Sequence, residues 1–443
     1  MENELFEKTP IHTAYFKLAL PVVVGMVVSI VYNVTDTYFV SHTQNTNLVA
    51  GVSICAPLFT LSIALGDIWG IGGSSIISRL FGEKKDNEGK LVSGFCFYAA
   101  IICGVFVTAL LLLFQNPILH LLGANSSTLE YASQYYFYLS LGIPITLPYL
   151  TLGNILRTEG LSLASMIGTV TGAIVNIILD PLFIFVFGLG AAGAAIATVL
   201  GNTVACIILI VLLLNKSKKL TVSWKFIGIS KTQLYSIFAL GIPASVTNIM
   251  QSFCIALTNR FLITYGTEKV AAMGIAMKVN TIAVLVMVGF AFGAQPLLGY
   301  SYGAKNEKRL KQIIRFDLLI EIGVGIFIAG SLILFAPQII KLFMNDGNIV
   351  AAGTPILRWL LVTAPFIGIV LVFTTLFQAM GKAVPALILS ISRQGVIFAV
   401  CLIVFSHFMG YTGIICSQAV ADTITAFIAL SLYTIIYRKN NSF

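Results

Sequence analysis

The sequence predicts an all-α integral membrane protein with about twelve transmembrane helices, in two six-helix lobes related by a parallel pseudo-two-fold repeat. Three observations carry this. The chain is 58% hydrophobic and only 10% charged, with a mean hydropathy of +0.96, whereas soluble domains carry about a quarter charged residues. Its apolar stretches run roughly 18–30 residues each, long enough for helices to cross a ~30 Å hydrocarbon core. The second half of the chain also echoes the first at a nearly constant offset.

Taken in order, helices are expected near 13–40, 47–80, 90–114, 128–156, 161–187 and 189–214. A basic connector over 215–231 follows, and the second set lies near 232–263, 267–300, 309–336, 350–380, 383–407 and 411–437. The domains are therefore an N-lobe (1–214), a connector (215–231) and a C-lobe (232–443). Leu18-Ala-Leu-Pro21 matches Leu240-Gly-Ile-Pro243 at an offset of 222. Val49-Ala50 matches Val270-Ala271, Gly82 matches Gly303, Pro144 matches Pro365 and Gly160 matches Gly381, all at 221. Gly190-Ala-Ala-Gly193 matches Gly410-Tyr-Thr-Gly413 at 220. Six is an even number, so both halves enter the bilayer from the same side, giving a parallel repeat about an axis along the membrane normal. Two such bundles with a cavity between them suit an alternating-access carrier.

The net charge of +9 is distributed in a way that argues against a nucleic-acid partner. Most Lys and Arg fall at the termini or in every second loop, such as Lys84, Lys85 and Lys90, or Lys216, Lys218 and Lys219. The intervening loops carry almost none, Lys269 and Lys341 being the exceptions. This positive-inside pattern predicts a multi-pass protein of the cell (cytoplasmic) membrane with both termini cytoplasmic. The acidic start, Met1 to Lys8, shows no small-residue cleavage pattern, so no signal peptide is expected. The seven cysteines lack a CxxC and read as buried thiols, and the four histidines are scattered, so no metal site is expected.

Enzymatic readings fail on the motifs. Gly188-Leu-Gly190-Ala-Ala-Gly193 fits GxGxxG, but no acidic residue follows about 20 positions on, and it sits at a short loop between spans. Close helix packing by small residues explains it better. No GxxxxGK[ST] loop occurs, and the Ser, His and Cys residues form no nucleophile–base pattern. The protein is expected not to be an enzyme and to need no cofactor, its energy coming from an ion gradient or from a partner subunit.

The organising stretch is Gly172 to Phe185, which holds Asn176 and Asp180 four residues apart in a long apolar run. On a helix that spacing stacks the amide and the carboxylate on one face. Pro181 follows and should kink the helix beside the carboxylate. An ionised carboxylate at bilayer depth costs roughly 2.5–3.5 kcal/mol or more, so its presence points to function. Asp36, Asp180 and Thr198 all fall roughly 10–14 Å from the outer face at 1.5 Å per residue, with Asn176 one turn deeper. Such an all-oxygen group could coordinate Na⁺, or hold a proton where desolvation and mutual repulsion disfavour two charges. Tyr32 and Asn33, one turn before Asp36, and Asn154 offer an aromatic face and amides for flat cationic substrates. Elsewhere, Asp317 is expected to pair near the cytoplasmic interface beside Arg315, and Arg393 with Asp422. Glu321 and Asp67 have no assigned partner, Asp67 being open to a gating or a helix-bridging role.

These residues resemble the multidrug and toxic compound extrusion (MATE) transporters along essentially the whole chain. The likeness rests on Pro21 and Pro243, on Val34-Thr-Asp36-Thr-Tyr-Phe, and on Gly72-Gly-Ser-Ser-Ile-Ile-Ser-Arg79-Leu-Phe-Gly82. It rests also on Arg157-Thr-Glu-Gly160 and on Asn176-x3-Asp180-Pro181 with Thr198. The helix layout is similar to the bacterial DinF/MepA-like branch. The resemblance implies a V-shaped cavity between the lobes and export of amphipathic, often cationic drugs or toxic metabolites in exchange for H⁺ or Na⁺. It also implies an N-lobe cation site at Asp36, Asn176, Asp180 and Thr198, a bend of the first helix at Pro21, and a functional monomer. The positions matching the C-lobe carboxylates of NorM-like members are Gln251 and about Ile369, both uncharged, which argues against a site of that type. A flippase for lipid-linked oligosaccharides or polysaccharides is the alternative within transport. It would line its cavity with several cations, and of the few here (Arg260, Lys278, Arg358, Arg393) only Arg393 lies deep. A channel or a membrane-embedded enzyme is the alternative outside it.

Overall fold

Long apolar runs leave no solvent for the backbone, so each must close its own hydrogen bonds as a helix. The computed structural model describes residues 4–440, with side chains to residue 436; residues 1–3 and 441–443, which the lobe assignments include, lie outside the described residues. The spans are α1 (Ile11–His42), α2 (Thr46–Ile54 and Ala56–Gly82), α3 (Asp86–Leu113), α4 (Leu129–Leu156), α5 (Ser162–Pro181) and α6 (Gly190–Lys216). They continue as α7 (Lys231–Leu262), α8 (Thr267–Gly303), α9 (Glu307–Leu334) and α10 (Gly347–Val362 and Ala364–Ala379). Then come α11 (Ala383–Ile391 and Ile397–Met409, joined by a wide turn at Ser392–Val396) and α12 (Tyr411–Asn440). Among the described residues eleven spans are long and apolar enough to cross a membrane, and the two parts of α10, bent by 42°, make a twelfth.

Two expected single helices are broken. α2 breaks at Cys55 and α10 at Thr363, each just before an Ala-Pro pair (Pro57, Pro365) at the start of its second part. Proline lacks the N–H that would continue the ladder but suits a helix's first turn, so the chain restarts there.

The packing repeats between the halves. α1 lies on α5, α4 on α6, α5 on α6 and α3 on α4; α7 on α11, α10 on α12, α11 on α12 and α9 on α10 follow the same plan. The helix ends repeat too. Gly160 and Gly381, equivalent positions in the two halves, both take left-handed backbone at a helix end (φ 84° and 77°), which glycine adopts at no steric cost. Lys84 and Lys305, also equivalent, take it after α2 and α8. There the N–H of Lys85 donates to Leu80 O (2.8 Å) and that of Asn306 to Ser301 O (3.0 Å), closing both helices in the same way.

The lobes meet through α1 against α8 and α2 against α7. Gly82 and Gly303 are reciprocal contacts on this seam: a Cβ on either would lie 2.2 Å from a backbone oxygen of the other lobe (Tyr300, Arg79). The hydrogen bonds joining the lobes lie in the half of the bundle nearer the termini, including Asn248 to Asp67 (2.9 Å), Gln295 to Ser75 (3.4 Å) and Tyr15 to Asp317 (2.8 Å). At the very end Tyr300 donates to Glu7 (2.7 Å), which also pairs with Lys84.

Candidate functional site

The polar group in the N-lobe is assembled by two glycines. α5 and α6 touch backbone to backbone at Gly172 and Gly201, where a Cβ on Gly201 would sit 2.8 Å from the Gly172 carbonyl oxygen and 3.0 Å from Asn176 Cβ. That approach sets Asn176 opposite Thr198, and the Asn176 amide donates to Thr198 Oγ1 and to Asp180 Oδ1, both at 3.4 Å. Asn176 and Thr198 are buried and Asp180 is 0% exposed. Past Asp180 the helix does not simply kink. It widens after Pro181 into a turn where the Phe187 N–H donates to Leu182 O, five residues back (2.9 Å). This accommodates the proline's missing donor. Gly193 at the start of α6 packs on that turn, a Cβ there falling 2.8 Å from the Phe183 backbone, so the glycine-rich loop serves helix packing.

α1 brings Asp36 to this group, close enough for its charge to act on Asp180. Ser29, Asn33, Thr35 and Thr37 all donate to their own helix backbone at 2.7–2.9 Å. Asp36 differs, for its buried Oδ1 has no partner, and neither do Asp180 Oδ2 and Asn176 Oδ1. Three buried, unfilled oxygens on three side chains are costly unless a proton or a cation satisfies them. The group therefore has the donor chemistry for either.

Of the other expected residues, Tyr32 lies beside Thr198 and within electrostatic reach of Asp36 and Asp180. Asn33, also one turn before Asp36, is exposed, and its amide donates to Ser29 O of its own helix (2.7 Å). Asn154 belongs to a second polar cluster nearer the termini. Its carbonyl accepts from Arg157 and its amide donates to Leu150 O (3.0 Å), with Gly70 of α2 giving it room. Arg157 acts electrostatically on Asp67, whose carboxylate accepts from Asn248 of α7, so Asp67 bridges the lobes. Pro21 sits inside an unbroken α1. Sequence reasoning missed Tyr135, a buried α4 side chain within electrostatic reach of Asp36, Tyr32 and Asp180. The same depth count finds it, about seven residues in from Thr128.

In the C-lobe, Arg393 Nε donates to Asp422 Oδ1 at 3.0 Å, as expected; Gln418 (3.0 Å) and Thr363 (3.3 Å), the latter at the break in α10, complete the carboxylate's shell. Asp317 departs from its expected pairing. Arg315 is exposed on another face of α9, while Asp317 turns into the lobe seam and accepts from Tyr15. One hundred degrees per residue separates those faces: positions 315 and 317 cannot both look outward.

A twelve-span repeat with a buried carboxylate group in one lobe is the architecture of a membrane carrier. The MatE family model matches the chain twice, at residues 21–182 and 243–404. The chain is 33% identical over 427 residues to the multidrug export protein MepA of Staphylococcus saprophyticus, covering 96% of this chain and 94% of that one. MepA of Staphylococcus aureus strain MSSA476 is 32% identical over the same length and the same shares. Among solved structures, an outward-facing multidrug resistance MATE family transporter of the MOP superfamily superposes with a TM-score of 0.94 at 25% identity, covering 100% of this chain and 99% of that one. The chain belongs to the MATE family, and is a transporter rather than an enzyme.

Proposed function

We propose that the protein is a cation-coupled multidrug efflux antiporter exporting amphipathic, often cationic compounds by alternating access. The observation that carries this reading is the set of unfilled oxygens on Asp36, Asn176 and Asp180. The named activity of the MepA relatives, which span nearly the whole chain, supports drugs as the cargo and gives no support to the flippase alternative.

In this reading Asp36 and Asp180 hold the coupling ion, H⁺ or Na⁺, with Asn176 and Thr198 as neutral oxygen partners. Two carboxylates in a dehydrated group do not both stay ionised cheaply, so they bind a cation or share protons as a coupled pair. The ion favours one lobe arrangement and the drug the other, so each displaces its rival through conformation. Tyr32 contacts the drug beside Asp36, Asn33 and Asn154 meet it away from that group, and α1 bends at Pro21 as Asp36 changes charge. The N-lobe (1–214) and C-lobe (232–443) move about the connector, and one chain suffices. The protein sits in the cytoplasmic membrane with both termini in the cytoplasm, a topology that the distribution of basic loops supports.

Drug-induced ion counterflow in proteoliposomes, normalised to folded protein, tests the reading. Asp36→Asn and Asp180→Asn keep shape and remove charge, and each is expected to abolish gradient-driven export while leaving folding intact. Normal counterflow in both variants would overturn it.

A further inference from the structure

α9 carries two carboxylates one helical turn apart, Asp317 and Glu321, and both are 0% exposed. Gly368 of α10 lets that helix lie against the Glu321 backbone, at 3.1 Å from where its Cβ would be, which seals one side. Tyr15 of α1, from the other lobe, seals the opposite side and donates its hydroxyl to Asp317 Oδ1 at 2.8 Å. The surroundings are aromatic and aliphatic: Phe16, Phe290, Phe316 and Val324 cluster with Tyr15. Glu321 points toward the α8 backbone at Ala291. Even so, neither of its oxygens has a hydrogen-bond partner, nor does Asp317 Oδ2.

The charged and titratable groups around the pair are few. On α1, His12 and Lys17 are exposed and only Tyr15 faces the pair. On α8 no titratable residue occurs over 279–299, and none occurs over 364–379 of α10. On the other part of α10, Arg358 is exposed, as is Arg315 of α9 itself. No cation compensates the two acids among the described residues. The repeat shows that packing does not require them. The equivalent positions in the N-lobe are Cys96 and Ala100, apolar and buried, and Ile237, the C-lobe counterpart of Tyr15, is apolar as well.

We propose that Asp317 and Glu321 form a second proton-binding site, distinct from the Asp36–Asp180 group, whose occupancy is tied to closure of the seam between the lobes. With the seam closed, the pair is dry and holds protons, because two adjacent carboxylates without a cation cannot both be charged there. Opening the seam breaks the Tyr15–Asp317 bond, admits water and releases protons to the compartment on the terminal side. Acid on that side therefore favours the closed seam, and the site reports that compartment's pH to the carrier. Unlike the Asp36–Asp180 group, which has the amide of Asn176 and the hydroxyl of Thr198, this pair is walled by aromatic and aliphatic side chains that suit a proton better than a Na⁺ shell.

This inference rests on the proposal that the lobes separate at this end. Spin labels on Asn87 and Lys308, both exposed and one in each lobe, measure the seam in the full chain. In an Asp36→Asn/Asp180→Asn background the open fraction is expected to rise from about pH 5 to about pH 8. Adding Asp317→Asn and Glu321→Gln is expected to abolish that response and leave the seam closed. Tyr15→Phe, which keeps the ring, is expected to raise the open fraction at every pH, and it tests the link should the double carboxylate variant not fold. An unchanged pH response in the carboxylate variants, an unaltered seam in Tyr15→Phe, or a response to Na⁺ at fixed pH would each overturn the proton site. A seam that opens with a fluorescent lipophilic cation but ignores pH refutes the site and leaves alternating access standing. A seam that opens under no condition refutes both.

Discussion

Arg393→Gln is the perturbation whose cost the structure defines best. Asp422 is 1% exposed and Arg393 12%, and the Nε–Oδ1 distance is 3.0 Å. Removing one partner of a buried pair strands a charge and typically costs about 3–5 kcal/mol. The Gln418 and Thr363 donors stay on Asp422, so the expected loss is near the lower end, about 3 kcal/mol. Asp422→Asn should cost less, about 1–3 kcal/mol, because the guanidinium keeps some solvent and the amide oxygen still accepts one bond. The double variant Arg393→Gln/Asp422→Asn should lose about 2 kcal/mol less than the sum of the two singles, which is the coupling energy. Denaturation of the four proteins in one detergent, followed by loss of the monodisperse folded fraction, supplies the cycle. Two single variants within about 0.5 kcal/mol of the parent, or a strictly additive double, would refute the argument that this pair holds α11 to α12.

Other expectations follow from the same geometry. Gly201→Val forces methyl groups into the 2.8 Å approach of α5 and α6. It should cost about 1–3 kcal/mol and, because Asn176 is displaced from Thr198, lower ion counterflow per folded molecule; full counterflow would show that the close approach does not set the site. The Glu7 carboxyl is held below its ordinary value by the hydrogen bond from Lys84, then by that from Tyr300. A lowered value means the tether stabilises above the ordinary carboxylate range and is lost as pH falls below it. Amide protection of residues 4–9 should drop there in the parent and be low at every pH in Glu7→Gln. Cysteines at Gln44, Asn125 and Asn345, in a chain without the native thiols, should react with impermeant reagent from outside. Those at Asn87, Ser217 and Asn306 should react only from inside, and one site on the wrong side breaks the parallel-repeat reading.

What was legible in the sequence was whatever a single helix determines. Span number follows from hydropathy. The meeting of Asn176, Asp180 and Thr198 follows from a spacing of four and a shared depth, and Arg393 found the nearest acid in its own half. The breaks in α2 and α10 had a signal, Pro57 and Pro365, weakened because proline is tolerated in a first turn. The partner of Asp317 is hidden from the sequence for a different reason. That partner, Tyr15, lies far away in the chain, on the other lobe. Nothing in the periodicity of α9 says which face will meet α1, since both neighbouring faces are apolar enough to be buried. Asn154 and Tyr32 are both polar and in one lobe, yet Asn154 packs on Gly70 of α2 and its carbonyl is taken by Arg157, three residues on.

The repeat also shows how one fold can carry a coupling site in only one of two similar lobes. Gly172, which with Gly201 brings α5 onto α6, is the repeat counterpart of Arg393, which with Asp422 brings α11 onto α12; at the local offset of 220, Gly201 matches Ala421, next to Asp422. The same helix crossing is thus held by backbone contact in the N-lobe and by a buried ion pair in the C-lobe. Their electrostatic consequences are opposite. Glycine contact uses no polar side chain, so the neighbouring Asn176 and Asp180 remain short of partners and available to an ion. In the C-lobe, Asp422 is filled by Arg393, Gln418 and Thr363. Ile397 and Cys401, the counterparts of Asn176 and Asp180, supply no carboxylate or amide, and Gln418, the counterpart of Thr198, is already committed to Asp422. A lobe whose polar groups satisfy one another has little to gain from a cation. A lobe whose carboxylates are left unfilled by tight packing gains a great deal. The asymmetry of function therefore begins at the two glycines, before any ligand is considered.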